Sequence, residues 1–326
     1  MSIPAFKTNL ADRLPVVRGR YTANAPLGAT SWFRCGGNAE VLFKPADTED
    51  LAAFLAACPD DIPVTVLGVC SNVIIRDGGI PGVTVRMGAG FTDVDIDADG
   101  LLTAGAAVLD VNVATAAQRA GRTGLEFFCG IPGSVGGALR MNAGAYGSET
   151  VDVLHSATAI DRAGCIHTYK PGQMDMTYRH CGIPENFVFT SAVFVTTPGD
   201  VAIIESNMNE IRNKRASTQP IRARTGGSTF ANPTPEELAV HNLPSDLKIW
   251  QMIDRVGGRG LTQGGAQMSE LHCNFMLNVN EATSADLETL GEEIRRRVKE
   301  EYGYEPRWEI KRIGAFENDM DCRGSA

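Results

Sequence analysis

Hydrophobic positions in the N-terminal part of the chain switch between strand-like and helix-like spacing. The run EVLFKP (40–45) is typical of a strand, and 47–58 places Leu51, Phe54 and Leu55 at helical spacing behind an Asp/Thr start. Three short β-rich runs split by glycine follow, at 64–68, 72–77 and 82–87. The order β-α-β-β-β predicts a small α/β unit, whereas 1–30 shows little periodicity.

A second group of predicted elements follows the first unit along the chain. It comprises a strand at 100–108, a helix at 109–121, two strands within 156–170, a strand at 186–196 and a helix at 200–216. The helix at 200–216 is predicted to have one apolar face, formed by Ile203, Ile204, Met208 and Ile211.

The C-terminal part begins with 217–247, which is rich in Pro, Thr, Gly and Asn and is predicted to be irregular. A helix at 248–258 and strands at 273–279 and 307–314 follow. Thr283 and Asp286 have the spacing of a capping box, which opens a further helix that ends at Gly303.

Composition narrows the functional class. The chain has 326 residues, 43% of them apolar and 21% charged, as in a soluble globular protein of two or three domains. The net charge is −9, and the one basic run, 295–299, lies among glutamates on a predicted helix, so no nucleic-acid partner is expected. No window approaches the roughly 20 apolar residues of a membrane span, so no membrane partner is expected.

Cysteine and histidine usage points to a cytoplasmic protein without a metal. The eight cysteines are scattered and form no C-x-x-C pair, which is typical of reduced thiols rather than disulfides or zinc ligands. The chain start has no apolar run of the kind found in a signal peptide. The five histidines are dispersed, so no metal site is predicted.

The stretch GIPGSVGGALRMNAGAYG (130–147) has the strongest chemical signal. Glycine lets consecutive N–H groups approach an anion, so 130–137 could hold a pyrophosphate. The stretch lacks G-x-G-x-x-G, the Lys and Ser/Thr of a P-loop, and a clean strand before it or helix after it. A tight loop packed between two sheets is the alternative. The segment LGVCSN (67–72) offers Ser71 and Asn72 from another unit, and the two segments together predict a dinucleotide site.

The glycine-rich block GLEFFCGIPGSVGGALRMNAGAYGSE closely resembles the flavin-binding segment of the UDP-N-acetylenolpyruvoylglucosamine reductase (UDP-N-acetylmuramate dehydrogenase) family. Six further blocks match the family in order: TSWFRCGGNAEVLFKP, LGVCSNVIIRDGGIPGV, TYR, TGGSTFANP, GGAQMSELHCNFMLN and WEIKRIG. The short spacing between Arg179 and Ser228 resembles the shorter variant of the family, which lacks an extra loop with a tyrosine.

The resemblance implies an α+β fold, with a two-part FAD-binding region of the vanillyl-alcohol-oxidase (PCMH) type and a smaller α/β substrate-binding domain. The implied limits are 1–87, completed by 307–326, for the first FAD-binding subdomain, 88–200 for the second and 201–306 for the substrate domain. A monomer is expected.

The resemblance also implies a reaction in peptidoglycan precursor synthesis. The family reduces the enolpyruvyl ether of a UDP-sugar to a lactyl ether, with NADPH as co-substrate and non-covalent FAD as cofactor. Hydride passes from flavin N5 to the β-carbon, and a proton reaches the α-carbon.

Individual residues of this chain match the functional positions of the family. Arg179 matches the catalytic arginine, which would bind the carboxylate of the substrate. Ser228 matches the proton donor, and Glu309 matches a carboxyl that helps to stabilise the developing charge. Asn232 and His272 match substrate-binding positions. The implied cofactor-binding residues are Gly68, Ser71, Asn72, Gly130, Ile131, Pro132, Gly133, Ser134, Gly136, Gly137, Asn142 and Gly144.

A purely structural interpretation remains open for four of these residues. Arg179 could be a surface arginine near a hairpin, Ser228 a turn serine, and Glu309 an edge-strand glutamate paired with Lys311 or Arg312. A core histidine is as good an interpretation of His272 as a ligand contact.

The chain departs from the family pattern at three places. Val69 and Cys70 replace glycines before Ser71, and a positive φ there would strain the backbone. Ala231 replaces a lysine, for which Arg222 or Arg224 could compensate. The segment 233–247 is longer than is usual.

Two other functions stay open at this point. The first is an oxidase of the same fold, with flavin tethered through a residue such as Cys129. The second is a non-catalytic scaffold, which would predict loss of Arg179, Ser228 or Glu309, and this loss is not seen in the sequence.

Overall fold

The computed structural model describes residues 10–317, and the first unit is built around a four-stranded sheet. Its elements are β1 (Arg20–Pro26), β2 (Asn38–Lys44), α1 (Thr48–Ala57), β3 (Val64–Val66), β4 (Val73–Ile75) and β5 (Ile80–Val85). The sheet order is β1-β2-β5-β3, with β2, β5 and β3 parallel and β1 antiparallel to β2. The side chain of Asp47 accepts the N–H of Asp50 and caps α1, whose Phe54 packs on Phe43 of β2.

Strand β1 is the element that the sequence analysis missed in this unit. Four of its seven residues are exposed, because β1 pairs only with β2, at the edge of the sheet. An edge strand with one neighbour needs no regular apolar face, so its period-two signal is weak.

The second unit contains a five-stranded antiparallel sheet of order β12-β11-β13-β7-β6. Its elements are β6 (Val94–Ile96), β7 (Leu101–Gly105), α2 (Asp110–Arg119), β8 (Arg122–Thr123), α3 (Val135–Met141), β9 (Gly144–Ala145), β10 (Ser148–Glu149), α4 (Thr150–Val153), β11 (Leu154–Ile160), β12 (Ile166–Tyr169), β13 (Val188–Val195) and β14 (Thr197–Pro198). Leu102, Phe128 and Phe194 are fully buried in its core. The expectation that no helix follows the glycine-rich stretch is wrong, since α3 begins inside it at Val135.

Helix α5 (Val201–Thr218) packs against this second unit, where Ile204 and Met208 join the buried core. Ile203, which was expected on the same face, is 63% exposed. Ile204, Met208 and Ile211 follow the i, i+4, i+7 spacing of one helix face, and Ile203 lies about 100° away from Ile204 around the axis.

The third unit has a small antiparallel sheet of order β15-β18-β17-β16, covered by helices. Its elements are β15 (Thr225–Ser228), α6 (Pro235–Val240), α7 (Ile249–Arg255), β16 (Thr262–Gln263), β17 (Ala266–Met268), β18 (Phe275–Asn278) and α8 (Ser284–Tyr302). The capping box of Thr283 and Asp286 opens α8 as predicted, and Gly303 ends it at φ +67°.

The segment 217–247 is not irregular throughout, because it contains β15 and α6. Thr234 and Glu237 form a second capping box around Pro235, the first residue of α6. The Pro-rich composition hid this helix, although proline is favoured at a first helical position.

The last segment joins the first and third units. Strand β19 (Lys311–Ile313) pairs in parallel with β4, whereas Trp308 bridges Phe230 of the third unit. The single strand predicted at 307–314 is therefore divided between two partners. The predicted domain limits reach into 1–9 and 318–326, which lie outside the described residues, as does Cys322.

The cysteines of residues 10–317 are all free thiols. None of its helices combines the length and apolar character that crossing a bilayer requires.

Candidate active site

Arg179 lies at the tip of a tight turn. Thr177 and His180 exchange both main-chain hydrogen bonds, of 3.2 and 3.0 Å, which leaves Tyr178 and Arg179 as the two tip residues. Arg179 has φ +55°, a left-handed conformation that costs energy for a residue with a Cβ. Strain of this kind persists where neighbouring contacts hold the backbone, and it is concentrated at functional sites.

Asn142 ties this turn to the glycine-rich segment. The side chain is fully buried, and Nδ2 donates to the carbonyl of Thr177 at 3.2 Å and to Glu149 Oε2 at 2.8 Å. Oδ1 accepts the N–H of Val151 at 3.0 Å. Asn142 also ends α3 in a left-handed conformation, a position that asparagine tolerates better than most residues. The hydrogen bond from Asn142 to Thr177 thus anchors the turn that carries Arg179 to the end of α3.

The guanidinium of Arg179 contacts Glu309. Nε lies 2.8 Å from Glu309 Oε1, and Nη2 donates to the carbonyl of Gly144 at 3.3 Å. The two side chains are only 26% and 11% exposed. The alternative that Glu309 pairs with Lys311 or Arg312 is wrong. The partner of Glu309 is Arg179, whereas Arg312 pairs with Glu288 and Glu292.

Burial dominates the electrostatics of this pair. It raises the pKa of the Glu309 carboxyl above its usual value, although Arg179 and a hydrogen bond from Tyr178 act in the opposite direction. For Arg179, burial lowers the pKa, but the charge of Glu309 outweighs it and the net shift is upward. Glu309 is therefore easier to protonate than an exposed glutamate, while Arg179 stays charged.

Main-chain contacts bring Ser228 and the 67–72 loop to the same place. The N–H of Glu309 donates to the carbonyl of Thr229, the residue after Ser228, at 2.9 Å. Asn72 Nδ2 donates to the carbonyl of Glu309 at 3.1 Å. The three predicted catalytic residues thus come from segments that are distant in the sequence. In the structure, hydrogen bonds join these segments directly to one another.

A cleft of about 460 Å³ opens beside the Arg179 turn. Its lining consists of Gly144, Ala145, Gly147, Ser148, Glu149, Asp152, Tyr178 and Arg179. The sequence analysis assigned no role to Tyr178, which lies next to Arg179 in the TYR block and is 42% exposed. Burial, followed by the charge of Glu309, raises the pKa of Tyr178, and the tyrosine also makes hydrogen bonds to Asn232.

The two segments expected to hold a dinucleotide meet. A Cβ built on Gly68 would lie 3.0 Å from Ser134 Oγ, so Gly68 permits the close approach. Ser134 does not use its side chain to cap α3. Within residues 10–317, no acceptor is assigned to the main-chain N–H groups of Gly68, Val69, Cys70 and Ser71. A run of free N–H groups beside a serine hydroxyl fits the diphosphate of a dinucleotide.

Cys70, which replaces a glycine of the family pattern, has the positive φ that was expected to strain the backbone. Its φ is +55°, whereas Val69 is not among the residues with positive φ. The left-handed residue lies within the run of free N–H groups, which is the geometry of an anion-binding nest.

The glycine-rich segment is packed closely on its inner side. A Cβ on Gly130 would lie 2.5 Å from the ring of Tyr146, and one on Gly133 would lie 2.5 Å from Asp110 Oδ2. Both carboxyl oxygens of Asp110 are buried with no partner among the described residues, and burial raises the pKa of this group well above its usual value.

The other predicted cofactor positions differ in what their groups contact. Ile131, Pro132 and Gly136 are half-buried in the same segment, and Gly137 is exposed with open space where a Cβ would be. The carbonyl of Gly144 accepts from Arg179. The side chains of Asn72 and Asn142 are occupied by protein partners. Their contacts with a cofactor remain predictions.

Of the two predicted substrate residues, Asn232 contacts a residue of the cleft, and His272 does not contact the Arg179–Glu309 pair. Asn232 is joined to Tyr178 and accepts the N–H of Ile249 at 3.3 Å. His272 packs edge-on against Phe275, and burial lowers its pKa. No described contact links His272 to Arg179 or Glu309.

Three further sequence expectations can be compared with the structure. Ala231 is buried, and Arg224 pairs with Glu281 at 3.1 Å. The thiol of Cys129 is buried beside the carbonyl of Met208, and burial raises its pKa, which disfavours a reactive thiolate. Over residues 10–317, no group of three or more His, Cys, Asp or Glu side chains could hold a metal ion.

Comparisons with known proteins agree with this geometry. Residues 39–170 match the FAD binding domain, and 219–313 match the C-terminal domain of UDP-N-acetylenolpyruvoylglucosamine reductase. The UDP-N-acetylenolpyruvoylglucosamine reductase of Parvibaculum lavamentivorans is 57% identical over 94% of this chain and 94% of its own length. That of Azorhizobium caulinodans is 54% identical over 96% of this chain and 99% of its own length.

A solved structure supports the same conclusion. The crystal structure of the reductase from Thermus caldophilus has a TM-score of 0.74 at 28% identity and covers 92% of this chain and 100% of its own. The predicted α+β fold, with its PCMH-type FAD-binding region and smaller substrate domain, is confirmed. The chain belongs to the UDP-N-acetylenolpyruvoylglucosamine reductase family of FAD-containing oxidoreductases.

Proposed function

We propose that the protein uses NADPH to reduce UDP-N-acetylglucosamine enolpyruvate to UDP-N-acetylmuramate, a step in peptidoglycan precursor synthesis. The observation that carries this proposal is the 2.8 Å contact between Arg179 and Glu309, beside the segment of Ser228 and a cleft that borders the glycine-rich loop. FAD, when bound, supplies the hydride chemistry that links NADPH to the enolpyruvyl β-carbon.

The main-chain N–H groups of Gly68–Ser71 and the hydroxyl of Ser134 would hold the diphosphate of FAD. They provide hydrogen-bond donors without a cationic side chain, as in other anion nests. The close approach of Gly68 to Ser134 supports this role, because even a Cβ at position 68 would lie only 3.0 Å from the serine hydroxyl. The remaining cofactor positions of the resemblance are retained as proposed contacts.

Arg179 would bind the substrate carboxylate. Its Nε is engaged by Glu309 and its Nη2 by Gly144, so the guanidinium is held in one orientation beside the cleft. A fixed cation favours the state in which negative charge grows on the carboxylate and its α-carbon. The strained turn and the Asn142 anchor support this role, because they hold the orientation before substrate binds.

Glu309 would share a proton with the carboxylate of the substrate. Its raised pKa favours the protonated form, which can donate a hydrogen bond where an ionised carboxylate would repel the substrate. The hydroxyl of Ser228 would give its proton to the α-carbon. A serine is a weak acid, and this transfer is feasible because the carbanion that receives the proton is much more basic.

The substrate-binding role of Asn232 and His272 is part of the proposal. Asn232 is joined to Tyr178 at the cleft, which supports its role more strongly than the position of His272 supports that of the histidine. A cytoplasmic location is consistent with NADPH and a nucleotide sugar as substrates.

One experiment tests the function directly. The purified holoenzyme is reduced with NADPH without oxygen, and the enolpyruvyl sugar nucleotide is then added. We expect flavin absorbance near 450 nm to return within the turnover time, with UDP-N-acetylmuramate as product. Flavin that stays reduced with this substrate would overturn the proposal.

A further inference from the structure

Gly291 lies inside α8, at a position where glycine is unfavourable for a helix. The indole of Trp308 explains its presence. A Cβ built on Gly291 would lie 2.0 Å from Cη2 and 2.2 Å from Cζ2 of that indole. Interiors are close-packed, so the ring occupies the space that any other residue at position 291 would need. Trp308 is therefore in direct contact with the backbone of α8.

The indole of Trp308 is also held by polar and aromatic contacts. Its Nε1 donates to Glu292 Oε1 at 2.9 Å, and Arg312 Nη1 donates to the same oxygen at 3.0 Å. The guanidinium of Arg312 lies 4.6 Å from the ring centre of Trp308. The rings of Phe230 and Trp308 lie 5.1 Å apart at an angle of 53°. Packing, a hydrogen bond and a cation–π contact thus fix this one side chain.

The main chain of Trp308 connects this anchor to two residues of the candidate active site. Trp308 and Phe230 form an antiparallel bridge. Phe230 comes two positions after Ser228, and Glu309 follows Trp308 directly. Within the bridge, the N–H of Glu309 donates to the carbonyl of Thr229 at 2.9 Å. The proposed proton donor and the proposed carboxyl thus lie within two residues of a single bridge that Trp308 attaches to α8.

The register of this bridge depends on its side chains. Register between paired segments is set mainly by the side chains that one face buries, and a slip of one residue turns every side chain to the opposite face. In this bridge the packed side chains are Phe230, which is fully buried, and Trp308. A shift of the indole along α8 would therefore displace Glu309 relative to Ser228.

We propose that Trp308 is a positioning residue for the reaction and that Gly291 and Glu292 act through it. None of the three needs to touch the substrate, because Trp308 sets the place of Ser228 and Glu309 through the bridge. A displacement of about 1 Å at a reacting group can cost about 10²-fold in rate. The proposal rests on the proposed function, in which both groups act on one enolpyruvyl substrate.

Variants of the FAD-loaded protein test this role in stopped-flow experiments. Glu292→Ala removes the acceptor of the indole N–H at an exposed position, and Glu292→Gln retains an oxygen that can accept it. Trp308→Phe keeps an aromatic ring but lacks the N–H. Glu300→Ala is the matched control, since Glu300 is exposed on the same helix and pairs with Arg296. Thermal unfolding of each variant is measured in parallel.

The expected effect is confined to one half-reaction. We expect Glu292→Ala and Trp308→Phe to slow the reoxidation of FAD by the enolpyruvyl sugar nucleotide about 10- to 10²-fold, and to leave its reduction by NADPH within about twofold. Glu292→Gln should recover most of the rate, and Glu300→Ala should match the unmutated protein. A slowing in Trp308→Phe alone would assign the positioning to the packing of the indole on Gly291 and would also support the proposal.

The pH profile separates positioning from a purely structural role. Burial raises the pKa of Glu309, whereas Arg179 and Tyr178, the groups that face it, lower this pKa. A displaced Glu309 loses part of its contact with Arg179, so its pKa rises further. The alkaline fall in the reoxidation rate should therefore move to higher pH in Glu292→Ala. A purely structural contact would lower the unfolding temperature without moving this fall.

The proposal is overturned if Glu292→Ala and Trp308→Phe both reoxidise FAD within about twofold of the unmutated rate, or if both slow the two half-reactions equally. Failure of the proposed function would look different. In that case the enolpyruvyl sugar nucleotide would not reoxidise the flavin of the unmutated protein either.

Discussion

Arg179 and Glu309 lie 130 positions apart in the sequence, and their side chains meet at 2.8 Å. The contact joins the second unit to the segment that closes the first and third. Each residue is held by its main chain as well, Arg179 by the Thr177–His180 turn and Glu309 by Thr229 and Asn72. Any change in either side chain therefore tests the chemistry of a fixed pair.

The first prediction concerns Glu309→Gln, which keeps the shape of the side chain and a hydrogen bond but removes the acid. We expect the reduction of FAD by NADPH to change little, and its reoxidation by the enolpyruvyl sugar nucleotide to slow by about 10²–10⁴-fold, the usual contribution of a positioned acid. Stopped-flow absorbance separates the two half-reactions. A loss confined to FAD reduction would contradict the role given to Glu309.

The protonation of Glu309 also predicts a direction in pH. Because burial raises its pKa, the protonated form extends to higher pH than for an exposed glutamate and is lost as pH rises through the folded-state pKa. We expect the rate of flavin reoxidation to fall on that alkaline side, and the Glu309→Gln variant to lack this fall. An unchanged pH profile in the variant would assign the titration to another group.

Ser228→Ala removes the proposed proton donor. FAD reduction should be nearly unaffected, and reoxidation should slow by several orders of magnitude. Thr225→Ser in the same strand is a suitable control, because it retains a hydroxyl at a buried position. Stopped-flow traces in H₂O and D₂O measure the effect, and the solvent isotope effect of the unmutated protein should be absent or altered in Ser228→Ala. Equal losses in both half-reactions would argue against a proton-donor role.

The three residues proposed as catalytic were identified in the sequence through a resemblance to a family, and the physical signals alone were weaker. A single arginine, serine and glutamate in distant segments have no spacing that links them. The links run through main-chain hydrogen bonds such as Glu309 to Thr229, which a sequence pattern does not encode. Helix α8 was predictable because its apolar spacing and capping box are local, whereas β1 at a sheet edge lacks such a signal.

Asn142 illustrates the same limit. The resemblance placed it among cofactor residues, and nothing in MNAGAYG indicates that its amide would reach Thr177, 35 positions away. The strained φ of Arg179 and the closeness of Gly68 to Ser134 likewise depend on how the units pack, which composition and periodicity do not specify.

Asn142→Gly and Asn142→Ala test whether this residue positions Arg179. Both remove the hydrogen bonds to Thr177 and Glu149, but only Ala adds the cost of a left-handed residue with a Cβ, about 1 kcal/mol. We expect both variants to raise the KM for the sugar nucleotide and lower the rate of flavin reoxidation, with Ala the less stable in thermal unfolding. If Asn142 instead acts on the cofactor, FAD affinity will fall while the KM for the sugar nucleotide stays constant.

Cys70 has a matched pair of substitutions as well. Cys70→Gly and Cys70→Ala both delete the buried thiol, so their difference isolates the left-handed backbone. We expect the Gly variant to be the more stable by about 1 kcal/mol in chemical denaturation, since Ala is strained at positive φ. FAD affinity, measured by flavin release on dilution, should be retained in the Gly variant. An Ala variant as stable as Gly would show that the loop relaxes.

Asp110 predicts how stability depends on pH. Its buried carboxyl has a folded-state pKa well above the unfolded value near 4, so the folded protein binds a proton that the unfolded chain releases between those two values. Its contribution to stability is present below the unfolded pKa and is lost as pH rises towards the folded pKa. Asp110→Asn has nearly the same shape and does not titrate. We therefore expect the stability of Asp110→Asn, relative to the unmutated protein, to increase as the pH rises from about 5 towards the folded-state pKa, in urea unfolding of the FAD-loaded protein. A constant difference across that range would mean that Asp110 is ionised and has gained a partner, and FAD or a buried water beside Gly133 would be the first candidate.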